Sequence, residues 1–280
     1  MINNILILGG SGYLGTSIVK RWNCNNDCKI TIGDLSEPVF GGQFVHIDML
    51  DKLMMESTIN EYDLIINCTG QITSPINKCF DINTKGIDNL VEAVRSAGKK
   101  VLHISTVAVY GTSIYADESS SLNPETPYAT CKAIAEYKIK SILSDESFCI
   151  LRLTNLYGEN QAKGLFAYLI KSYLSNRELD FNHDGSLMRY FLNINDCAEA
   201  VWMAIRNNLS GIYNMPTIEK YSVKEIIQLI EKMRCVKFKT SFEQTRPVEN
   251  IDIVNFDAFR NATGFEPKTK LTDFINQTFL

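Results

Sequence analysis

Ile5-Leu6-Ile7-Leu8-Gly9-Gly10-Ser11-Gly12-Tyr13-Leu14-Gly15 decides the fold: an apolar run broken by glycines and followed by a helical pattern. Four consecutive apolar residues suit a short strand covered on both faces. Glycine at 9, 12 and 15 permits a tight turn, close approach of a pyrophosphate, and packing of the next helix on the strand. The start of that helix offers free backbone N–H groups and a partial positive charge to phosphate. The glycine spacing departs from the GxGxxG pattern. A glycine-rich turn without a ligand is the plain alternative.

Outward from this stretch, short apolar runs alternate with helical ones. Strands are expected at Asn4–Leu8, Lys29–Gly33, Gln43–Ile47, Leu64–Cys68, Val101–Ile104 and Phe148–Leu153. Helices are expected at Thr16–Trp22, Phe80–Ala97 and Thr126–Ser144. Within the second of these, Ile87, Leu90, Val91 and Val94 recur at helical spacing and define one buried face. The alternation predicts an α/β fold, a Rossmann-type doubly wound parallel sheet, over residues 1–155. Beyond it the pattern loosens, with helices at Leu165–Leu174, Asp196–Arg206, Val223–Met233 and Leu271–Phe279. Residues 156–280 therefore read as a smaller C-terminal α+β substrate lobe, interleaved with the first domain.

Asp34 closes the second strand, about 20 residues past the glycines, where a carboxylate can accept from both adenosine ribose hydroxyls and would repel a 2′-phosphate. That favours NAD over NADP; a strand-end turn aspartate is the bland reading. Asp48 could reach the adenine amino group or serve as the N-cap of a helix over Leu50–Thr58.

Bulk properties bound the rest. A net charge of −4 gives no reason to expect nucleic acid or an anionic membrane as partner. No apolar run approaches the roughly 20 residues of a membrane span, and the N-terminus lacks a signal-peptide layout, so a cytoplasmic protein is expected. Of the eight cysteines only Cys24 and Cys28 are close, and His46, His103 and His183 are scattered. Reduced thiols and no metal are the expectation.

A second motif carries the chemistry. Tyr128 and Lys132, in Pro127-Tyr128-Ala129-Thr130-Cys131-Lys132, stand at i and i+4 and project from one helix face. A free phenol has a pKa near 10; bringing it to about 7 takes about 4 kcal/mol, which an adjacent ammonium and a nicotinamide's positive charge could supply. His103-Ile104-Ser105-Thr106 ends the fifth strand, at the edge where such sheets meet ligands. Thr106 or Ser105 could hydrogen-bond the reacting oxygen, and His103 reads as a strand residue.

These features together resemble an extended short-chain dehydrogenase/reductase of the NAD-dependent epimerase/dehydratase family, which acts on nucleotide sugars. The resemblance runs nearly end to end: GGSGYLG at 9–15, Asp34, Asn67-Cys68-Thr69-Gly70, Asn83 and Gly86, STVAVYG at 105–111, PYATCK at 127–132, LRLTNLYG at 151–158, RYFLNINDCAEAV at 189–201, GIYN at 211–214 and RPVEN at 246–250. It implies Tyr128 as acid/base, Lys132 as the group that lowers its pKa and holds the nicotinamide ribose, and Thr106 as the catalytic hydroxyl. It implies NAD contacts from Gly9, Gly12, Tyr13, Leu14, Gly15, Asp34, Asp48 and Met49 at the adenosine and pyrophosphate end. Cys68, Thr69, Gly70, Asn83, Ser105, Tyr128 and Lys132 would follow toward the nicotinamide. Asn155 and Arg189 would grip the sugar nucleotide's diphosphate, alongside Thr106 and Tyr128 on the sugar, an arginine fork suiting phosphate. Asn83 has a bland reading as a polar residue early in its helix, and Arg189 as a surface ion pair. Cys131 stands where the family often has serine.

Three reactions compete under that resemblance. Dehydratases carry two acids directly after the catalytic threonine, whereas Val107-Ala108 follow Thr106 here. A nucleotide 4-keto-6-deoxy-sugar reductase in deoxysugar or polysaccharide precursor biosynthesis is the leading expectation, because the interval from Asn155 to Arg189 is compact. An NAD-retaining nucleotide-sugar 4-epimerase is the alternative, and Asp34 suits it. A non-catalytic dinucleotide-binding sensor or scaffold is the reading from another class. The resemblance also implies a homodimer built on the helices around 80–97 and 126–144.

Overall fold

The computed structural model describes residues 2–22, 28–70, 74–243 and 250–280; Cys24 and the Arg246-Pro247-Val248-Glu249 part of the late motif lie outside them. The first half runs β1 (Asn4–Leu8), α1 (Tyr13–Trp22), β2 (Lys29–Asp34), β3 (Gln43–His46), α2 (Lys52–Ile59), β4 (Leu64–Asn67), α3 (Ile76–Asp81), α4 (Ile87–Ser96), β5 (Lys100–Thr106), β6 (Ser113–Ala116), α5 (Pro127–Ile142) and β7 (Phe148–Leu153). The second half runs β8 (Asn155–Tyr157), α6 (Leu165–Tyr173), β9 (Glu178–Phe181), β10 (Arg189–Asn193), α7 (Ile194–Arg206), β11 (Gly211–Asn214), β12 (Glu219–Tyr221), α8 (Val223–Arg234), β13 (Lys239–Phe242), β14 (Ile251–Val254), α9 (Asp257–Thr263) and α10 (Leu271–Thr278).

Seven strands form the main sheet in the order β11-β7-β5-β4-β1-β2-β3, every pairing parallel. The order reverses at β1 and β4, so the crevice outside their carboxyl ends is the topological switch point where ligands bind. Side chains of β1 alternate between two cores. Ile5 and Ile7 join the cluster under α1 and α7, and Leu6 and Leu8 join the one under α2, α4 and α5. Period-two alternation with both faces apolar is what a strand covered on both sides requires. On the first face, Trp22 and Trp202 pack at 4.9 Å between ring centroids, fixing α1 against α7.

The expected doubly wound sheet is present, and its seventh strand comes from the second half of the chain. β11 pairs with β7, and α7 covers the first face, so the two halves share one core. The remaining strands make the lobe: the sheet β12-β10-β8 and the pair β13-β9, around an apolar cluster of Tyr157, Phe166, Phe191 and Phe274. A further pair, β14-β6, ties the C-terminal region to the segment after β5. Among the described residues no helix is long and apolar enough to cross a membrane.

Three elements differ from the sequence reading. The helix expected over Phe80–Ala97 is α3, a π-helical turn over Ile82–Gly86, and α4. The Asn83 amide inside that turn donates to the Cys79 and Gly70 carbonyls, at 2.9 and 3.1 Å, which draws Asn83 inward rather than onto a surface. The helix expected from Leu50 starts at Lys52, because Asp51 and not Asp48 caps it, accepting from Met54 N at 3.0 Å. The first helix begins three residues early, at Tyr13, directly on the glycine turn.

Candidate active site

The floor of the crevice is built from two close approaches. Gly9 has a φ of +73°, and a Cβ there would stand 3.1 Å from the Thr69 methyl and 3.2 Å from the Cys68 carbonyl carbon. A Cβ on Gly15 would lie 2.4 Å from Gly9 O, so only glycine lets α1 begin against the turn. The first N–H groups of a helix have no partner within it and point at whatever lies before its N-terminus. Asp34 reads the same loop: its carboxylate accepts from Ser11 N at 3.1 Å and from Leu35 N at 2.8 Å. A backbone cradle with a carboxylate beside it fits a pyrophosphate and an adenosine ribose bearing two free hydroxyls.

The other expected contacts on this side sort into backbone and side chain. The Tyr13 hydroxyl is buried against Gly158, away from the glycine turn, so Tyr13 can serve a cofactor only through its backbone. Leu14 is likewise part of the core. Asp48 accepts from Leu50 N at 2.9 Å, and the Met49 sulfur lies 2.9 Å from the Thr69 hydroxyl oxygen. Thr69 also binds Asn67 Oδ1, through its hydroxyl at 2.6 Å and its N–H at 3.0 Å, which shapes the turn after β4. Burial pushes the Cys68 thiol up to about 12, so it stays protonated.

At the chemical end, Thr126 caps α5, accepting from Ala129 N, with Pro127 in the first turn. This sets Tyr128 and Lys132 in successive turns of one helix face. The Lys132 side chain crosses the floor and donates to Thr69 O at 2.9 Å and Ile104 O at 3.0 Å, joining the ends of β4 and β5. Burial pulls its ammonium down to about 8, with Cys79, Cys68 and Glu136 acting in the other direction. The Tyr128 phenol is pushed up, chiefly by burial and then by Cys79. The lowering by Lys132 expected from the sequence does not prevail: burial and Cys79 both act upward on Tyr128. Ionising Tyr128 therefore calls for further positive charge at the crevice, which an oxidised nicotinamide carries.

Thr106 ends β5, its Oγ1 accepting from Ala108 N at 3.2 Å as cap of a 3-10 turn over Val107–Tyr110; that leaves the hydroxyl proton to donate. Ser105 is different. Its hydroxyl, 2 % exposed, donates to Glu136 Oε1 at 2.5 Å on the core side of the strand. The expectation that the Ser105 side chain faces a ligand is corrected: alternation along β5 turns it away when Thr106 faces out. His103 is a strand residue, as expected. It is buried beside Asn67 at 3.1 Å, and burial followed by Lys132 holds it neutral, well below the ordinary imidazole range.

Asn155 and Arg189 come together at a cavity of about 310 Å³, lined also by Tyr168, His183, Phe191 and Val223. The pairing of β8 with β10 sets Asn155 opposite Phe191, and the Asn155 amide donates to Tyr190 O at 3.1 Å. His183 was not legible as a site residue; a lone histidine in a loop gives no signal until the fold brings it to Arg189. A larger cavity, about 640 Å³ between α1 and α7, contains none of the expected residues.

Residues 5–215 match the model of the NAD dependent epimerase/dehydratase family. A putative UDP-glucose 4-epimerase of Methanocaldococcus jannaschii is 29% identical over 98% of this chain and 96% of its own length. The dTDP-D-glucose 4,6-dehydratase of Mus musculus is 28% identical, over 98% of this chain and 87% of its own. A UDP-glucuronic acid 4-epimerase from Bacillus cereus, solved with UDP-glucuronic acid and NAD, has the same fold, with a TM-score of 0.87 at 22% identity over 99% and 98% of the two chains. The chain belongs to the NAD dependent epimerase/dehydratase family: it is an enzyme of the short-chain dehydrogenase/reductase type and its cofactor is NAD.

Proposed function

We propose that this member of the NAD dependent epimerase/dehydratase family transfers hydride at a ring carbon, C4, of a nucleotide sugar, and that it is a nucleotide-sugar 4-epimerase. The observation that carries the reading is Asp34, whose carboxylate is fixed at the end of β2 by the N–H groups of Ser11 and Leu35. A carboxylate there repels a 2′-phosphate and selects NAD. An epimerase regenerates its own oxidised cofactor, so it has no need of the phosphorylated dinucleotide that most reductive steps draw upon. Val107 and Ala108 after Thr106 offer no carboxylate for removing water, which weighs against dehydration.

NAD, when bound, supplies the hydride acceptor and, in the return step, the hydride donor. Tyr128 takes the C4 hydroxyl proton as that hydride leaves, and gives it back when the keto sugar is reduced on the other face. Thr106 donates a hydrogen bond to the same oxygen. Lys132 holds the cofactor ribose and contributes positive charge near Tyr128. Asn155 and Arg189 hold the diphosphate, Arg189 through its fork of donors. His183, Tyr168 and Phe191 line the cavity beside them.

The second reading, a nucleotide 4-keto-6-deoxy-sugar reductase, is favoured by the compact stretch between Asn155 and Arg189 and the small cavity it encloses. The relative of Methanocaldococcus jannaschii matches over 96% of its own length, so overall shortness does not separate the two. Cofactor content of the purified protein does. Near-stoichiometric NAD that survives gel filtration, with interconversion of UDP-hexoses, is the expected result. Protein that purifies without dinucleotide and oxidises NADH against nucleotide 4-keto-6-deoxy sugars would establish the reductase instead. A homodimer through α4 and α5 belongs to the same proposal, Tyr137 on α5 being a large side chain left exposed; light scattering at micromolar concentration tests it.

A further inference from the structure

Tyr128, Lys132 and Glu136 occupy successive turns of one face of α5. The third of them has no part in the chemistry above, yet it is the most heavily engaged carboxylate in the core. Glu136 is fully buried and Arg152, on β7, is 1 % exposed. Arg152 Nη2 donates to Glu136 Oε2 at 2.6 Å and Nε to Oε1 at 3.1 Å. Ser105 fills the remaining site on Oε1. The other side of the guanidinium donates through Nη1 to the Tyr110 hydroxyl at 2.7 Å, and its carbon lies 4.8 Å from the Tyr110 ring centroid. Tyr110 passes the network on to Asn214 at the end of β11, at 2.8 Å.

Thr106 is bracketed by this network: Ser105 immediately before it binds the carboxylate, and Tyr110 at the close of the following turn binds the guanidinium. A buried ion pair is a poor device for stability alone, because desolvation of both charges offsets their attraction, and apolar residues of like size often do as well. What it does supply is a fixed register between the helix carrying Tyr128 and Lys132 and the strand end carrying Thr106.

We propose that Glu136 is a positioning residue for hydride transfer: clamped by Arg152 and Ser105, it sets α5 against β5 and keeps the Lys132 ammonium charged and in place. The groups facing Lys132 are Tyr128, Cys131 and Glu136 on α5, Cys79 on α3, Cys68 after β4 and His103 on β5. Burial holds the Cys68 and Cys131 thiols protonated and His103 neutral. Glu136, paired with Arg152, is the carboxylate among the groups facing Lys132. The two acceptors Lys132 touches, Thr69 O and Ile104 O, are neutral.

The inference rests on the hydride-transfer reading for its kinetic consequence and not for its charge consequence, so two measurements separate them. The first is the titration of the Lys132 Nζ by NMR in 15N-lysine-labelled protein without nucleotide. It is expected near 8 in the wild type and about one pH unit lower in Glu136→Gln/Arg152→Met, which removes both charges and avoids an unpaired Arg152. The second is the pH profile of turnover. The alkaline limb should move down with Lys132, and kcat at pH 7.5 should fall about tenfold with KM for the nucleotide sugar unchanged. Ser105→Ala, which leaves both charges in place, reads the tether alone and should lower kcat about threefold. A folded double variant with the wild-type Lys132 titration overturns the proposal, as does a Ser105→Ala protein with unchanged kcat. Wild-type protein inactive on every nucleotide sugar would remove the hydride-transfer reading and leave the Lys132 titration to decide the role of Glu136.

Discussion

Two strand pairs of the same sheet, equally buried, are built on opposite principles. β1 and β4 are dry: Ile5, Leu6, Ile7 and Leu8 are at most 1 % exposed, Leu64, Ile65 and Ile66 are comparable, and polar side chains stand only at the ends, Asn4 opening β1 and Asn67 closing β4. β5 and β7 bury His103, Ser105 and Arg152, and pack against Lys132 and Glu136 of α5. On the proposed reading, the binding half of the crevice recognises its ligand with backbone, through a glycine turn and a helix N-terminus, so the strand beneath can be hydrocarbon. The chemical half must hold a phenol, an ammonium and a hydroxyl in one geometry. It does so with buried charges and hydrogen bonds, strong in a low-dielectric interior and costly when broken.

That contrast can be broken at several points. Tyr128→Phe should cost the most, lowering turnover by about 10²–10⁴-fold while NAD binding is retained. Comparable turnover in a kinetic assay would remove Tyr128 from proton transfer. Arg152→Met alone leaves the Glu136 carboxylate buried without its cation and should lower stability in urea by about 3–5 kcal/mol. Leu6→Ala on the dry side should cost a similar ~2–5 kcal/mol through a cavity, with the pH profile of the surviving activity unchanged. A shifted profile in Leu6→Ala would mean that the dry strands also tune the chemistry.

Asp34→Ala tests the backbone side. It removes a charged acceptor of about 1.5–3 kcal/mol and should weaken NAD by roughly ten- to a hundredfold, with NADP weakened less or not at all. Calorimetric titration of both dinucleotides checks it, and equal losses would deny Asp34 its selecting role. The smallest effect lies in His103. Its folded pKa lies below the ordinary value, so the unfolded chain binds the proton first. The stability this contributes is complete above about pH 6.5 and is lost as pH falls, at up to about 1.4 kcal/mol per unit. Urea unfolding of the wild type and His103→Gln across pH 5–7 should give a flatter dependence in the variant. Parallel curves would place the acid sensitivity elsewhere.

The alternation that announces the fold is local, and so it could be read from the chain. All six strands expected in the first half are in the sheet, four apolar residues and three glycines being enough to define β1 and the turn after it. Tyr128 and Lys132 were legible because helical spacing by itself puts them on one face. The π-helical turn at Asn83 was not, since it accompanies a hydrogen bond to the Gly70 carbonyl, 13 residues away, which forms only when the helix packs against the turn after β4. Ser105 was misread because two adjacent hydroxyls at a strand end look alike until pairing fixes which one faces the core.

The sequence by itself determined the parallel sheet, its cofactor end, and the helix carrying phenol and ammonium, because each is fixed by residues within a few turns of one another. Only the tertiary structure decided that β11 closes the sheet from the far half of the chain. It alone brought Asn155, Arg189 and His183 to one cavity, and joined Glu136 to Arg152, Ser105 and Tyr110. Those placements depend on which strands lie side by side, a matter of contacts between distant segments that no local pattern of residues encodes.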